Sequence, residues 1–83
     1  MKTLNIGFNN FVIDEHVISI IVPDTAPARR LREDAKNKDI LIDATAGRKT
    51  RAIIIMDNGF IILSAVNVET LIQRIEQNEG QFY

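Results

Sequence analysis

Arg51-Ala52-Ile53-Ile54-Ile55-Met56-Asp57-Asn58-Gly59-Phe60-Ile61-Ile62-Leu63-Ser64-Ala65 sets two β-rich runs on either side of Asn58-Gly59. Asn-Gly readily takes the positive φ angles of a two-residue hairpin turn, and alternation along each run then assigns the faces. In that register Met56, Ile54 and Ala52 stand across from Ile61, Leu63 and Ala65, an apolar face that reads as core. The opposite face mixes Ile53, Ile55, Phe60 and Ile62 with Arg51, Asp57 and Ser64. It is too apolar to be left in water, so a helix or a second subunit is expected to cover it.

Working outward, Asn67 is placed to cap a helix whose apolar positions Val68, Leu71, Ile72 and Ile75 recur at helical spacing. Val66 and Leu71 stand as a hydrophobic staple across its start. Gly80 ends that helix, and Gln81-Phe82-Tyr83 reads as a loose tail or an extra contact. Upstream, Ile40-Leu41-Ile42 is a short strand closing at Asp43. Before it, Asp24 or Thr25 caps a helix from about Ala26 to Asn37, with Pro27 in the first turn, where its missing N–H has no partner to lose. Ala28, Leu31 and Ala35 form its apolar stripe, while Arg29 with Glu33 and Arg30 with Asp34 stand four apart outside. His16 to Val22 is a β-branched strand stopped by Pro23, and Asn9-Asn10 turns a first hairpin between Ile6-Gly7-Phe8 and Phe11-Val12-Ile13. The pattern predicts an α+β fold, a small and mostly antiparallel sheet with two helices.

A chain of 83 residues has room for one domain, residues 1–83, and buries only about 60–65% of its unfolded surface, a thin margin that association would widen. With no cysteine there is no disulfide, thiolate metal site or thiol nucleophile. No stretch resembles a signal peptide and no run approaches the ~18 apolar residues of a membrane span, so a soluble, cytoplasmic protein without a membrane partner is expected. The net charge of −1 hides an uneven distribution. Residues 25–51 set Arg29, Arg30, Arg32, Lys36, Lys38, Arg48, Lys49 and Arg51 against Glu33, Asp34, Asp39 and Asp43, and the acids prevail on both sides of them.

Catalysis finds no support in this sequence. His16 is the lone histidine, which leaves no second one to complete a usual metal set, and it reads as a surface or strand-edge residue. Asp43 and Asp57 fall at strand ends, where turn formation accounts for them. No metal, cofactor or catalytic group is expected. Ala44-Thr45-Ala46-Gly47-Arg48-Lys49-Thr50 fails as a nucleotide phosphate loop, because Arg48 and Asp43 stand where that motif needs glycines. What remains is Gly47-Arg48-Lys49-Thr50-Arg51, with no acid between Ala44 and Met56. Its cations suit phosphates, Thr50 can donate a hydrogen bond, and Gly47 lets backbone approach closely. Composition leaves both phosphate-backbone binding and a merely solvated basic turn open. The aromatics are few and not interleaved with these cations, which favours duplex over single-strand binding.

The sequence also resembles the RemA family of bacterial extracellular-matrix regulatory proteins. The likeness lies in Asn5-Ile6-Gly7-Phe8, in Thr25-Ala26-Pro27 with Arg30, in Leu41-Ile42-Asp43-Ala44-Thr45 with Gly47-Arg48 and Thr50-Arg51-Ala52, in Ile54-Ile55-Met56-Asp57, Ile62-Leu63-Ser64-Ala65 and Glu69-Thr70. The resemblance implies a DNA-binding transcriptional regulator, associated with the nucleoid, that activates biofilm-matrix genes. It also implies a ring-shaped homo-oligomer around which double-stranded DNA bends, and a fold likened to the LytTR type. The family's arginine-rich loop carries over onto Arg48, Lys49 and Arg51, its prolines onto Pro23 and Pro27, and its basic helix residue onto Arg30. Ala46 and Lys49 depart from the tyrosine and second arginine often found in that loop, and His16 stands where the family commonly has arginine, which makes it a candidate DNA-binding residue as well. Two other readings remain open at this point: a scaffolding oligomer that ignores DNA, and a sensor of a small phosphorylated ligand.

Overall fold

The computed structural model describes residues 1–80, the side chains of residues 79 and 80 excepted, so the expected tail at 81–83 lies outside the described residues. The strands are β1 (Thr3–Gly7), β2 (Asn10–Ile13), β3 (Val17–Ile21), β4 (Leu41–Asp43), β5 (Ala52–Met56) and β6 (Ile61–Ser64). The helices are α1 (Ala26–Asn37), between β3 and β4, and α2 (Val68–Gly80), after β6. β1 and β2 form an antiparallel ribbon, and the other strands form a four-stranded sheet in the order β3-β5-β6-β4, antiparallel except where β4 runs beside β6. This is the expected α+β class.

Both helix starts follow from their caps. The Thr25 hydroxyl accepts from the Ala28 N–H at 3.2 Å and the Asn67 side chain from the Thr70 N–H at 2.9 Å, each satisfying a donor left over by the first turn. Of the α2 stripe, Leu71 is fully buried, Val68 and Ile75 partly so, and Ile72 is 40% exposed.

The β5-β6 hairpin differs from its expected register by one residue. Its loop has three residues, Asp57-Asn58-Gly59, with the Gly59 N–H bonded to the Met56 carbonyl and Gly59 alone at positive φ. That is a type I turn followed by a left-handed glycine, the next most common hairpin solution after the two-residue turn. Ala52 therefore faces Ser64 and Ile54 faces Ile62, while Ile53 faces Leu63 and Ile55 faces Ile61. The one-residue slip exchanges which β6 side chains belong to each face.

Each face is then covered from within the chain. Ala52, Ile54 and Ile62 pack with Leu4, Ile6 and Val12 of the ribbon and Leu71 of α2. Ile53, Ile61 and Leu63 pack with Ala28 and Ala35 of α1, beside the partly buried Leu31. A strand covered on both faces reads as a continuous apolar run, which is why Ile53-Ile54-Ile55 and Ile61-Ile62-Leu63 do not alternate with polar residues. Each fully buried Ile or Leu contributes about 1.5–3 kcal/mol. Of the mixed face expected to be covered by a helix or a second subunit, Ile53 and Ile55 are covered by a helix, α1, with Ile53 at 0% exposure, while Ile62 turns to the ribbon.

Two smaller differences matter to the site. The first hairpin turns at Phe8-Asn9, both at positive φ, one residue earlier than Asn9-Asn10. His16 closes a 3-10 turn, Asp14–His16, and the strand begins only at Val17.

Candidate nucleic-acid interface

The Gly47–Arg51 segment is held at both of its ends. On the β4 side, the Asp43 carboxylate accepts from the Thr45 hydroxyl at 2.6 Å and from its N–H at 2.9 Å, with Thr45 itself buried. The Thr45 hydroxyl and then its N–H hold the Asp43 carboxyl below its ordinary value of 3.8, the positive charge of Arg32 adding to both while burial opposes them. The chain then reverses in a turn closed by the Arg48 N–H on the Thr45 carbonyl at 3.0 Å. Its central residues, Ala46 at φ 52° and Gly47 at φ 79°, have the left-handed pair of a type I′ turn. On the β5 side the Arg51 N–H bonds to the Ser64 carbonyl at 2.8 Å.

Between these anchors Arg48, Lys49 and Arg51 are exposed and Thr50 is half-buried. Among the described residues no carboxylate lies within 4 Å of any of the three cations. Their charge is therefore offered outward.

The structure adds an aromatic that sequence reasoning missed. The β1-β2 tip reaches the basic loop and sets the Phe8 ring under Arg48, whose guanidinium carbon is 5.8 Å from the ring centroid. Phe8, Arg48, Lys49, Arg51, Ala65 and Val66 line one shallow groove. The tip is fixed there by buried Ser64, whose hydroxyl donates to the Ile6 carbonyl at 2.9 Å and accepts from the Val66 N–H at 3.0 Å. Gly7, at φ +100°, approaches so closely that a Cβ would sit 3.1 Å from Val66 Cγ2. Arg74 of α2 donates to the Asn5 carbonyl at 2.8 Å, so this arginine is a strut of the same hairpin. Phe8 and Arg48 stand 40 positions apart in the chain, and only the turn-forming Gly7 and Asn9 hinted that Phe8 stands at a tip.

The other expected site residues are not gathered here. Arg30 lies on the outer side of α1 with Arg29, Glu33 and Asp34, and Arg29 and Glu33 also line a neighbouring groove with Arg32, Lys36 and Asp43. His16 lies at the other end of the sheet, where its ring nitrogen is 2.6 Å from the Asp57 carboxylate. The hydrogen bond and then the charge of Asp57 raise its pKa above 6.5 against the opposing effect of desolvation, with a lesser contribution from Glu15.

The family model described as RemA-like, extracellular matrix regulatory protein A-like, matches residues 3–75. The chain belongs to this family. RemA-like relatives resemble it over almost their whole length. One from Oleidesulfovibrio alaskensis is 54% identical over 79 residues, covering 95% of this chain and 94% of its own. One from Dictyoglomus turgidum is 53% identical over 81 residues, covering 98% and 95%. One from Syntrophobacter fumaroxidans is 56% identical over 80 residues, covering 96% and 85%. All three carry the name "Putative regulatory protein". The names of the RemA-like family and of these relatives are those of regulatory proteins rather than enzymes, and they support a regulatory role. No helix among the described residues is long and apolar enough to cross a membrane, and no group of three or more His, Asp or Glu is placed to hold a metal ion.

Proposed function

We propose that this chain is a transcriptional regulator, an activator of extracellular-matrix genes, that binds double-stranded DNA through Arg48, Lys49, Thr50 and Arg51 displayed on a ring-shaped homo-oligomer. The observation that carries the reading is the clustering of Arg48, Lys49 and Arg51, all exposed, on one loop anchored at both ends, in a stretch with no acid between Ala44 and Met56. Cations spent on internal ion pairs would have to break them before meeting a phosphate, and these have none to break. A small phosphorylated ligand would want a concave site that encloses it, whereas these side chains stand on an exposed turn.

Repetition follows from magnitude. Even proteins with fuller footprints bind DNA non-specifically with Kd of about 10⁻⁴ to 10⁻⁶ M at physiological salt, so one loop binds feebly. Linked copies raise overall affinity by about 10² to 10⁴ when the DNA reaches several together. With each face of the four-stranded sheet covered from within the chain, assembly falls to its outer strands. β3 and β4 are its edges, and they leave Ile18 66% and Ile42 45% exposed. An edge of one kind meeting an edge of the other is a head-to-tail contact, the type that closes into rings.

The test is a mobility shift with duplexes of increasing length across salt concentrations, beside light scattering for mass. Affinity should rise steeply once a duplex spans neighbouring subunits and fall as salt rises. A monomer that binds short duplexes tightly would defeat the ring. An oligomer that ignores duplex at low salt would be the scaffold instead, and thermal stabilisation by nucleotides alone would favour the small-ligand sensor.

A further inference from the structure

We propose that Phe8 is the positioning residue for Arg48, its ring holding the guanidinium in the place where it meets a DNA phosphate; this rests on the loop being the DNA contact. The ring belongs to neither core cluster and is 52% exposed, so packing does not explain its place. Its backbone stands at φ 54°, a left-handed conformation that a bulky side chain adopts only when its surroundings dictate it. Those surroundings are the Asn5 side chain, which accepts from the Gly7 N–H at 2.8 Å, the packing of Gly7 against Val66, and the bond from Ser64 to the Ile6 carbonyl.

The contact has a chemistry suited to this task. A carboxylate partner would occupy the guanidinium N–H donors and cancel the charge. An aromatic ring instead attracts the guanidinium through its quadrupole, and the centroid distance lies within the ~6 Å over which that attraction acts. The guanidinium N–H groups of Arg48 meet no acceptor among the described residues and stay available for bidentate phosphate binding. An arginine ordered in advance also loses less side-chain freedom when DNA arrives. Phe8 therefore acts through Arg48 and needs no contact of its own with DNA.

The test is a double-mutant cycle on duplex affinity with Phe8→Leu, Arg48→Ala and both together, with Phe8→Tyr as the conservative variant and a thermal melt on each. Phe8→Leu should weaken binding about twofold to fivefold for each loop engaged, the worth of an exposed cation–π contact. Phe8→Tyr should restore it, and in the Arg48→Ala background Phe8→Leu should change nothing further. Equal weakening in both backgrounds would show that Phe8 touches DNA independently and would overturn the proposal. So would normal binding by Phe8→Leu while Arg48→Ala binds poorly, or a loss that tracks a lowered melting temperature and returns with no aromatic replacement. If Arg48→Ala itself binds normally, the DNA assignment of the loop fails and the role of Phe8 fails with it.

Discussion

The two ends of the four-stranded sheet treat charge in opposite ways. At the end where β5 begins, Arg48, Lys49 and Arg51 stand exposed without a described acid within 4 Å, on a loop anchored at both sides. At the end where β5 finishes, His16 and Asp57 are 2.6 Å apart and satisfy one another across β3 and β5, the Asp57 N–H also bonding to the His16 carbonyl. The same strand thus carries an outward-facing charge at one tip and a self-satisfied one at the other. Charges paired inside the chain serve the fold, whereas a cluster of exposed cations on an anchored loop is placed to meet something outside it. Each of the following measurements either breaks that division or sharpens it.

The largest effect is expected from removing the outward charge. Arg48→Ala with Arg51→Ala should weaken duplex binding on the order of 10²-fold, since hydrogen bonds to charged groups are worth about 1.5–3 kcal/mol each. The slope of log K against log salt should become shallower by about 0.9 for each phosphate that is no longer neutralised. Lys38→Ala is the control, because Lys38 caps the end of α1 at the opposite end of the sheet, just before Ile40 meets Ile61. A double variant that binds like the control would remove the distinction between the two ends.

Next comes the device that holds the aromatic tip beside the loop. Ser64→Ala takes the partner from the Ile6 carbonyl and the Val66 N–H in a place with 0% exposure. A denaturant midpoint should report about 1–3 kcal/mol of lost stability, the cost of leaving buried polar groups unpaired. Duplex affinity should fall with it, as the Phe8 hairpin loosens from the loop. Full stability in Ser64→Ala would mean that Gly7 against Val66 holds the tip alone.

What was legible in the sequence divides along similar lines. Local signals were reliable where the cause is local: Thr25 and Asn67 cap their helices, and the acid-free run of cations is exposed. The register of the β5-β6 hairpin was not, because Asp57-Asn58-Gly59 serves a three-residue loop as well as Asn58-Gly59 serves a two-residue one, and apolar residues on both faces leave alternation unable to choose. The covering of Ile53 and Ile55 by α1 depends on where a helix docks. The approach of Phe8 to Arg48 depends on a buried serine, Ser64, far from both in the chain. Neither has a signature in residue spacing.

A smaller effect belongs to the turn itself. Ala46 holds a left-handed φ of 52°, and a left-handed L-residue costs about 1–2 kcal/mol, part of which a glycine would give back through its greater unfolded freedom. Ala46→Gly should therefore raise stability by about 0.5–1 kcal/mol in a denaturant titration. Because the cations follow the turn, the salt slope of DNA binding should not change. A stability loss in Ala46→Gly would show that the methyl group makes a contact worth more than the strain.

The smallest effect separates the ends by pH. Asp43, at the loop end, has a lowered pKa, so its contribution to stability is present above its ordinary value of 3.8 and is lost only as pH falls through the lower folded value. His16, at the other end, has a raised pKa, so its contribution is complete below 6.5 and is lost as pH rises through the folded value. Between about pH 6 and 8 the stability change assignable to these two groups therefore comes from His16 alone, and an exposed pair of this kind is worth little. Melting temperatures of the wild-type chain and of His16→Gln, measured across that window, should differ slightly at its acid end and converge at its alkaline end. Duplex affinity measured over the same window should be equal in the two proteins, since His16 is bound to Asp57 at the end away from Arg48 and Arg51. Were His16→Gln to lose affinity at the acid end while keeping its melting temperature, the histidine would be facing phosphate, and the second end of the sheet would have to be added to the DNA-binding surface.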